Sequence, residues 1–222
     1  MCLAILSKPG ANIPAEYLAT AATNNPDGFG YAFNYAGKVV TRKWLKYDDE
    51  AEVVYEMDRR ANPDAVFLVH FRMATHGDLC LKNTHPFVLQ DGGAMIHNGI
   101  IDIKGLPEGY SDSRFFAKHI VSKLPANWQY QAWWVQVLED YISPWNKVCF
   151  VWPNGSWLIL HEDAGDWDEG NWYSNSSHKR RVWRMSDYWW EDNEWEQDSA
   201  IDCALSKEYG ETIAQIIRDG VK

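Results

Sequence analysis

The sequence holds no apolar run approaching the roughly 18–20 residues that cross a bilayer as a helix. Its first ten residues, Met1 to Gly10, lack the charged segment and sustained apolar stretch of a secretory leader. Neither a membrane span nor export is expected, and the reading is a cytoplasmic protein. Cysteine is sparse: Cys2, Cys80, Cys149 and Cys203 lie far apart. With no CxxC pair they form neither a zinc knuckle nor a disulfide framework, which suits reduced thiols. Positive charge is short as well. The 21 Lys and Arg stand against 31 Asp and Glu, a formal net charge of −10. Only Lys179-Arg180-Arg181 is locally basic, beside an acidic stretch, so no nucleic-acid or anionic-membrane partner is expected. The His residues include no HExxH and no Cys partner at ligand spacing, so no metal and no other cofactor is expected. Internal repeats and low-complexity linkers are missing too, and the 222 residues read as one domain.

What the chain does hold is turn chemistry between short apolar segments. Cys2 to Leu6 reads as a buried strand stopped by Lys8-Pro9-Gly10, and Pro14 to Thr23 as a short helix. Phe29, Tyr31, Phe33 and Tyr35 alternate with small or polar residues, and Ala36-Gly37 turns them into Val39-Val40-Thr41. Asp48 or Asp49 can cap a helix to about Arg60, with Val53, Val54 and Met57 expected inward. Ala65–Val69 is continuously apolar, as in a strand covered on both faces. Ala94–Ile96 reads as another strand, Ser111-Asp112-Ser113 as a helix start, and Tyr130–Tyr141 as a further helix. Asn154-Gly155 makes a hairpin of Val148–Val151 and Trp157–Leu160, and Trp172–Ser174 adds a strand. Residues 187–198 are acidic and Trp-rich, and Ala200–Asp219 reads as an amphipathic helix. Strands and helices cluster rather than alternate, which favours an α+β arrangement of two mostly antiparallel sheets with helices outside them.

The chemistry starts at Cys2. Taken singly, a Cys in second position is an ordinary small apolar residue. Once the initiator Met is removed, however, it carries a thiol and a free α-amine together. An α-amine near pKa ~7.7–8.0 can take a thiol proton near neutral pH and return it to a leaving group. In His97-Asn98-Gly99 the bland reading is a turn. The functional one is an oxyanion hole made by the Asn98 amide and the Gly99 N–H. His70-x-Arg72-x-Ala74-Thr75-His76-Gly77 puts a guanidinium, a hydroxyl and an imidazole on a loop after a buried strand. Arg72 is either a surface ion-pair residue or a bidentate grip on a carboxylate, with Thr75 and His76 beside it. Asp112 is either a helix cap or the partner of a substrate ammonium. Asn24-x-x-Asp27-Gly28-x-Gly30 is a turn, or a place where backbone passes close to a neighbour such as the chain terminus.

Met1-Cys2, Asn24-x-x-Asp27-Gly28-x-Gly30, the 70–77 loop, Asn83-Thr84-His85-Pro86, His97-Asn98-Gly99 and Ser111-Asp112-Ser113, in this order, resemble the class II glutamine amidotransferases of the N-terminal-nucleophile hydrolase superfamily. The likeness covers residues 1 to about 120, domain size fits to about 180, and the last forty or so residues match nothing. It implies a four-layer αββα sandwich with the mature terminus buried at one edge. It further implies glutamine as substrate, Cys2 as nucleophile with its own amine as base, and a thioester intermediate that releases ammonia and then glutamate. Asn98 and Gly99 would form the oxyanion hole. Arg72, Thr75 and His76 would take the α-carboxylate, and Asp112 the α-ammonium. Leu3 departs from the small Gly of well-known members, and Met73 from the Trp that sugar-phosphate amidotransferases often carry. No acceptor domain is visible, so ammonia would pass to a separate acceptor or synthase subunit, with 187–198 as a candidate docking surface. An N-terminal-Cys hydrolase of another linear amide, and a non-catalytic binding or regulatory subunit of the same fold, stay open alternatives.

Overall fold

The computed structural model describes residues 2–75 and 77–179. His76, the acidic segment 187–198 and the helix expected at 200–219 lie outside the described residues. Among the described residues ten strands make two antiparallel sheets. The first contains β1 (Leu3–Ser7), β2 (Phe29–Tyr35), β3 (Lys38–Trp44), β4 (Phe67–Phe71), β9 (Asp166–Asp168) and β10 (Asn171–Tyr173), in the order β3-β2-β4-β1-β10-β9. The second contains β5 (Phe87–Val88), β6 (Ala94–Asn98), β7 (Lys147–Val151) and β8 (Trp157–Leu160), in that order. Helices α1 (Ala15–Asn24) and α2 (Asp49–Ala61) belong to the first sheet. Helices α3 (Asp112–Phe115) and α4 (Ala132–Ile142) belong to the second.

Side-chain alternation along each strand explains the layering. Leu3 and Ile5 pack outward with Leu18, Ala21 and Tyr55 of the helices. Ala4 and Leu6 pack inward with Ile96, Cys149 and Val151 of the other sheet. Met95, Val148 and Phe150 turn to the far side, onto Phe116, Trp134 and Leu138. Three apolar clusters thus separate helices, sheet, sheet and helices: the αββα sandwich. β1 is an inner strand, paired with β4 on one side and β10 on the other, which accounts for an apolar run with no polar alternation.

Local chemistry sets the element ends. Ala36-Gly37 and Asn154-Gly155 close the two hairpins. Asp48 caps α2, its carboxylate accepting the Ala51 N–H at 3.1 Å, and Ser111 caps α3 by accepting from the Arg114 N–H. One expectation needs correction. α2 buries Ala51, Tyr55 and Arg59, whereas Val53 and Met57 are exposed. The stripe at i, i+4, i+8 wins because Tyr55 fills the aromatic cluster of Phe29, Tyr31 and Phe67. Arg59 then ties the helix to β1 through Ser7 Oγ and the carbonyls of Lys8, Ala11 and Ala65. α3 loses α-helical pitch after one turn, continuing as a wider π turn (Phe116–Ile120) and a 3-10 turn (Val121–Lys123).

Candidate active site

Cys2 lies one residue ahead of β1, on the face that looks toward the second sheet. The Leu3–Phe71 pair ends the β1–β4 register there. Its Sγ is bracketed by the backbone of one residue of the 70s loop, donating to the Met73 carbonyl and accepting the Met73 N–H, both at 3.3 Å. The Cys2 carbonyl accepts from Asn175 Nδ2 at 2.8 Å. The thiol is partly buried, and desolvation pushes its pKa up. The Met73 N–H and the Arg72 guanidinium pull it down, while Asp112 adds to the rise. The sulfur therefore feels Arg72 and Asp112 at once. Beside it opens a cavity of about 220 Å³ lined by Cys2, Met73, Thr75, Gly99, Ile100, Ser143, Trp145 and Asn146.

β6 brings Asn98 back toward Cys2 from the opposing sheet. Asn98 is fully buried, and its Nδ2 lies 3.0 Å from Ser174 Oγ. That hydroxyl also accepts the Ala4 N–H at 3.0 Å, two residues from Cys2. Gly99 follows at φ +140°, where a Cβ would collide with the Asn146 side chain, so only glycine lets the chain turn here. Asn146 donates its amide to Ile142 O and Ser143 Oγ, which leaves Oδ1 to accept from His97 Nε2 at 2.8 Å. His97 is neutral, since burial depresses its pKa. A neutral ring protonated at Nε2 accepts at Nδ1, and Ser113 Oγ stands 2.8 Å away to donate. Asp112 Oδ1 is farther from that hydroxyl, at 3.3 Å. The Asp112 Oδ2 takes the Ile101 N–H at 2.7 Å. A chain of single hydrogen bonds therefore runs from beside Gly99 to beside Asp112.

Arg72 is buried where β4 ends. Its guanidinium donates to Asp78 O at 3.1 Å and reaches Gly77 O at 3.5 Å. Asp27 anchors the same loop, with its N–H on Arg72 O and its carboxylate accepting from Ala74 N. Among the described residues the close neighbours of Gly28 and Gly30 in the Asp27-Gly28-x-Gly30 motif include Thr84 and His85. A Cβ on Gly30 would strike the His85 carbonyl, and one on Gly28 would press on Thr84 at 3.2 Å. The glycines make room for the Asn83–Pro86 loop, whose Asn83 in turn holds Gly109 O and the Ser111 N–H. The His85 ring of this loop lies tilted against that of His70, with centroids 3.9 Å apart. Burial holds His70 down at about 3 and His85 well below its ordinary value. Among the described residues no cluster of three His, Cys, Asp or Glu could hold a metal ion, and no helix is long and apolar enough to cross a membrane.

Cys2, Thr75 and Gly99 share one cavity wall. Asn98, Arg72 and Asp112 do not line it; Asn98 is the chain neighbour of Gly99, and Arg72 and Asp112 act on the sulfur through their charges. Residue-by-residue reading missed Asn146, Ser174 and Asn175. The polar run Ser174-Asn175-Ser176-Ser177 after a Trp-Tyr strand is the only signal for the last two. Asn146, in a turn after α4, carries none.

No family model matches the chain. A Haemophilus influenzae protein named "Putative glutamine amidotransferase" is 26% identical over 159 residues, covering 61% of this chain and 51% of that protein. A Chlamydia caviae protein named glutamine–fructose-6-phosphate aminotransferase (isomerizing) is 29% identical over 133 residues, covering 57% of this chain and 21% of that protein. The aligned parts thus amount to about half of the first relative and about a fifth of the second. At this low identity the similarity supports a relationship to the glutamine amidotransferases at family level.

Proposed function

We propose that the chain is a glutaminase of the amidotransferase type, in which Cys2, freed of Met1, attacks the side-chain amide of glutamine. The observation that carries this reading is the position of the thiol. It sits at a cavity beside Gly99, with a buried cation and a buried anion both acting on the sulfur. A zwitterionic amino acid needs that pair of charges set apart, and a reacting amide needs the donors between them. Burial raises the thiol, so a base is needed to make thiolate, and the α-amine of the same residue is the nearest one.

The amine takes the thiol proton, and the thiolate adds to the amide carbon. The oxyanion is held by the Gly99 N–H and the Asn98 amide. The ammonium returns its proton to the leaving nitrogen, and ammonia departs with cleavage of the C–N bond. Water, deprotonated by the amine, then opens the thioester, and the proton returns to sulfur as glutamate leaves. Arg72, with Thr75 and His76, receives the α-carboxylate. Asp112 receives the α-ammonium through Oδ1, whose nearby hydroxyl is engaged by His97. The names of the two relatives fit a fate for ammonia on a second substrate, supplied here by a separate acceptor or synthase subunit in the cytoplasm.

The test is glutamine hydrolysis by purified protein whose mass shows loss of Met1, alongside Cys2→Ala and Cys2→Ser. Ammonia and glutamate in equal amounts, and a single adduct of 6-diazo-5-oxo-norleucine on Cys2, are expected. Turnover by protein that retains Met1 would sink the self-base mechanism. A processed protein with neither turnover nor adduct would sink the glutaminase reading.

A further inference from the structure

Ser174 lies at the point where β1, β6 and the segment after β10 meet, and it is 1% exposed. Its backbone N–H donates to Ala4 O at 3.0 Å, and its hydroxyl accepts the Ala4 N–H at 3.0 Å. Among the described residues the one other group at hydrogen-bond distance from that hydroxyl is the Asn98 amide, at 3.0 Å. A hydroxyl carries one proton, and the Ala4 N–H can only donate. With Nδ2 of Asn98 facing Ser174, the hydroxyl receives two donors and its own proton has no acceptor. Asn98 Oδ1 is at the same time buried with no hydrogen-bond partner. Turning the amide over gives the Ser174 proton an acceptor and puts the NH₂ group at the buried position for which the described residues supply no hydrogen-bond partner. Oδ1 then accepts the Ser174 O–H, and both amide hydrogens occupy the side where the orphan oxygen stood. The two ends of a carboxamide are nearly isosteric, so the hydrogen-bond network alone decides between them.

We infer that Ser174 is a positioning residue: its hydroxyl fixes Asn98 with the carbonyl end toward β1 and the NH₂ end available to the reacting amide. The inference rests on the glutaminase reading for its catalytic consequence but not for its geometry. Held only by packing, the Asn98 amide has no reason to prefer the orientation that donates to an oxyanion. Relayed through Ala4, Ser174 also ties that orientation to the strand that carries the nucleophile. Asn175, donating to the Cys2 carbonyl, secures the same junction one residue on.

Two measurements test this separately. In Met1-processed protein, Ser174→Ala should lower kcat for glutamine about ten- to hundredfold, part of the loss from deleting an oxyanion donor, with KM changed less than about threefold. Ser174→Thr, which keeps the hydroxyl, should recover most of it. Combined with Asn98→Ala, Ser174→Ala should cost less than about a further twofold, because the residue it acts through is gone. Wild-type kcat in Ser174→Ala, or effects that multiply in the double variant, would overturn the inference while leaving the glutaminase intact. A joint neutron and X-ray structure reads the amide orientation whether or not the chain turns over glutamine and whether or not the variants fold. Oδ1 toward Ser174 supports the inference, and Nδ2 toward Ser174 overturns it.

Discussion

Replacing Gly99 by Ala perturbs the candidate oxyanion turn at one atom. At φ +140° an L-residue is strained, at a cost of about 1–3 kcal/mol. The new Cβ lands on Asn146 Oδ1 and lies 2.8 Å from its Cγ and 3.0 Å from its Cα. Asn146 cannot swing away freely, since its amide is engaged by Ile142 O, Ser143 Oγ and His97 Nε2. Overpacking of that kind costs about 1–3 kcal/mol, and losing the His97 bond about 1 kcal/mol more. The sum, about 3–7 kcal/mol, is a large part of the stability of a typical domain. Gly37 supplies the control: it also has positive φ, +74°, but nothing lies within 4 Å of its virtual Cβ. Gly37→Ala should therefore lose only about 1 kcal/mol of conformational preference. Urea unfolding of both variants at pH 7.5 separates collision from strain. Adding Asn146→Ala to Gly99→Ala, which removes Oδ1 and Cγ but not Cα, should restore part of the loss. Equal destabilisation by Gly99→Ala and Gly37→Ala, or no recovery in the double variant, would refute the collision between Gly99 and Asn146.

Three further outcomes are expected. His70 is held near 3 in the folded chain against 6.5 in its unfolded state, so the unfolded state binds more protons below pH 6.5. Stability is then flat above about pH 7 and falls as pH drops, by about 2 kcal/mol for this imidazole at pH 5, and burial of His85 acts in the same direction. Urea midpoints that match at pH 7.5 and 5 would contradict it. Lys43 is pushed down from 10.5 to about 8 by burial and by Arg114, so its ammonium costs stability fully below pH 8 and not at all above pH 10.5. Lys43→Met should gain about 1–2 kcal/mol at pH 7, solvent screening having trimmed the rest, and the gain should vanish in strong base. Because Asp112 raises the Cys2 thiol and Arg72 lowers it, Asp112→Asn should move the pH profile of iodoacetamide labelling to lower pH and Arg72→Gln to higher pH. Profiles that do not move in opposite directions would show that the two charges do not share the sulfur.

Legibility in the sequence tracks the range of the interaction. The hairpins at Ala36-Gly37 and Asn154-Gly155 were readable because a turn dipeptide and a period of two act within a few residues. The layers followed from clusters of strands and helices. α2 misled because Val53 and Met57 look like core until the aromatic cluster that prefers Tyr55 is known. Cys2, Thr75 and Gly99 could be named in advance because each sits in a short motif with its own chemistry. Ser174 could not, since its bond to Ala4 spans 170 residues and depends on β10 lying beside β1. The neighbour of Gly30 is a loop some fifty residues onward, which no local pattern announces.

The same burial that makes the site legible in three dimensions limits what can act as its base. His70 is the register partner of Ala4 in the strand next to the one that Cys2 precedes, and His97 lies in the strand that carries Asn98. Either ring looks like a general base on paper. At about 3, however, His70 is a far weaker base than a thiolate, and its Nε2 is committed to the His97 carbonyl. Both ring nitrogens of His97 are engaged, by Asn146 and Ser113, and burial lowers its pKa as well. A buried thiol pushed upward needs a proton acceptor that stays basic near neutrality. Among the described residues around Cys2 no side chain meets that demand, which is why the proposed chemistry turns on the α-amine uncovered by removal of Met1. Grafting an acetyl group onto the Cys2 amine, which keeps the sulfur and removes the base, should therefore abolish turnover while leaving the cavity unchanged.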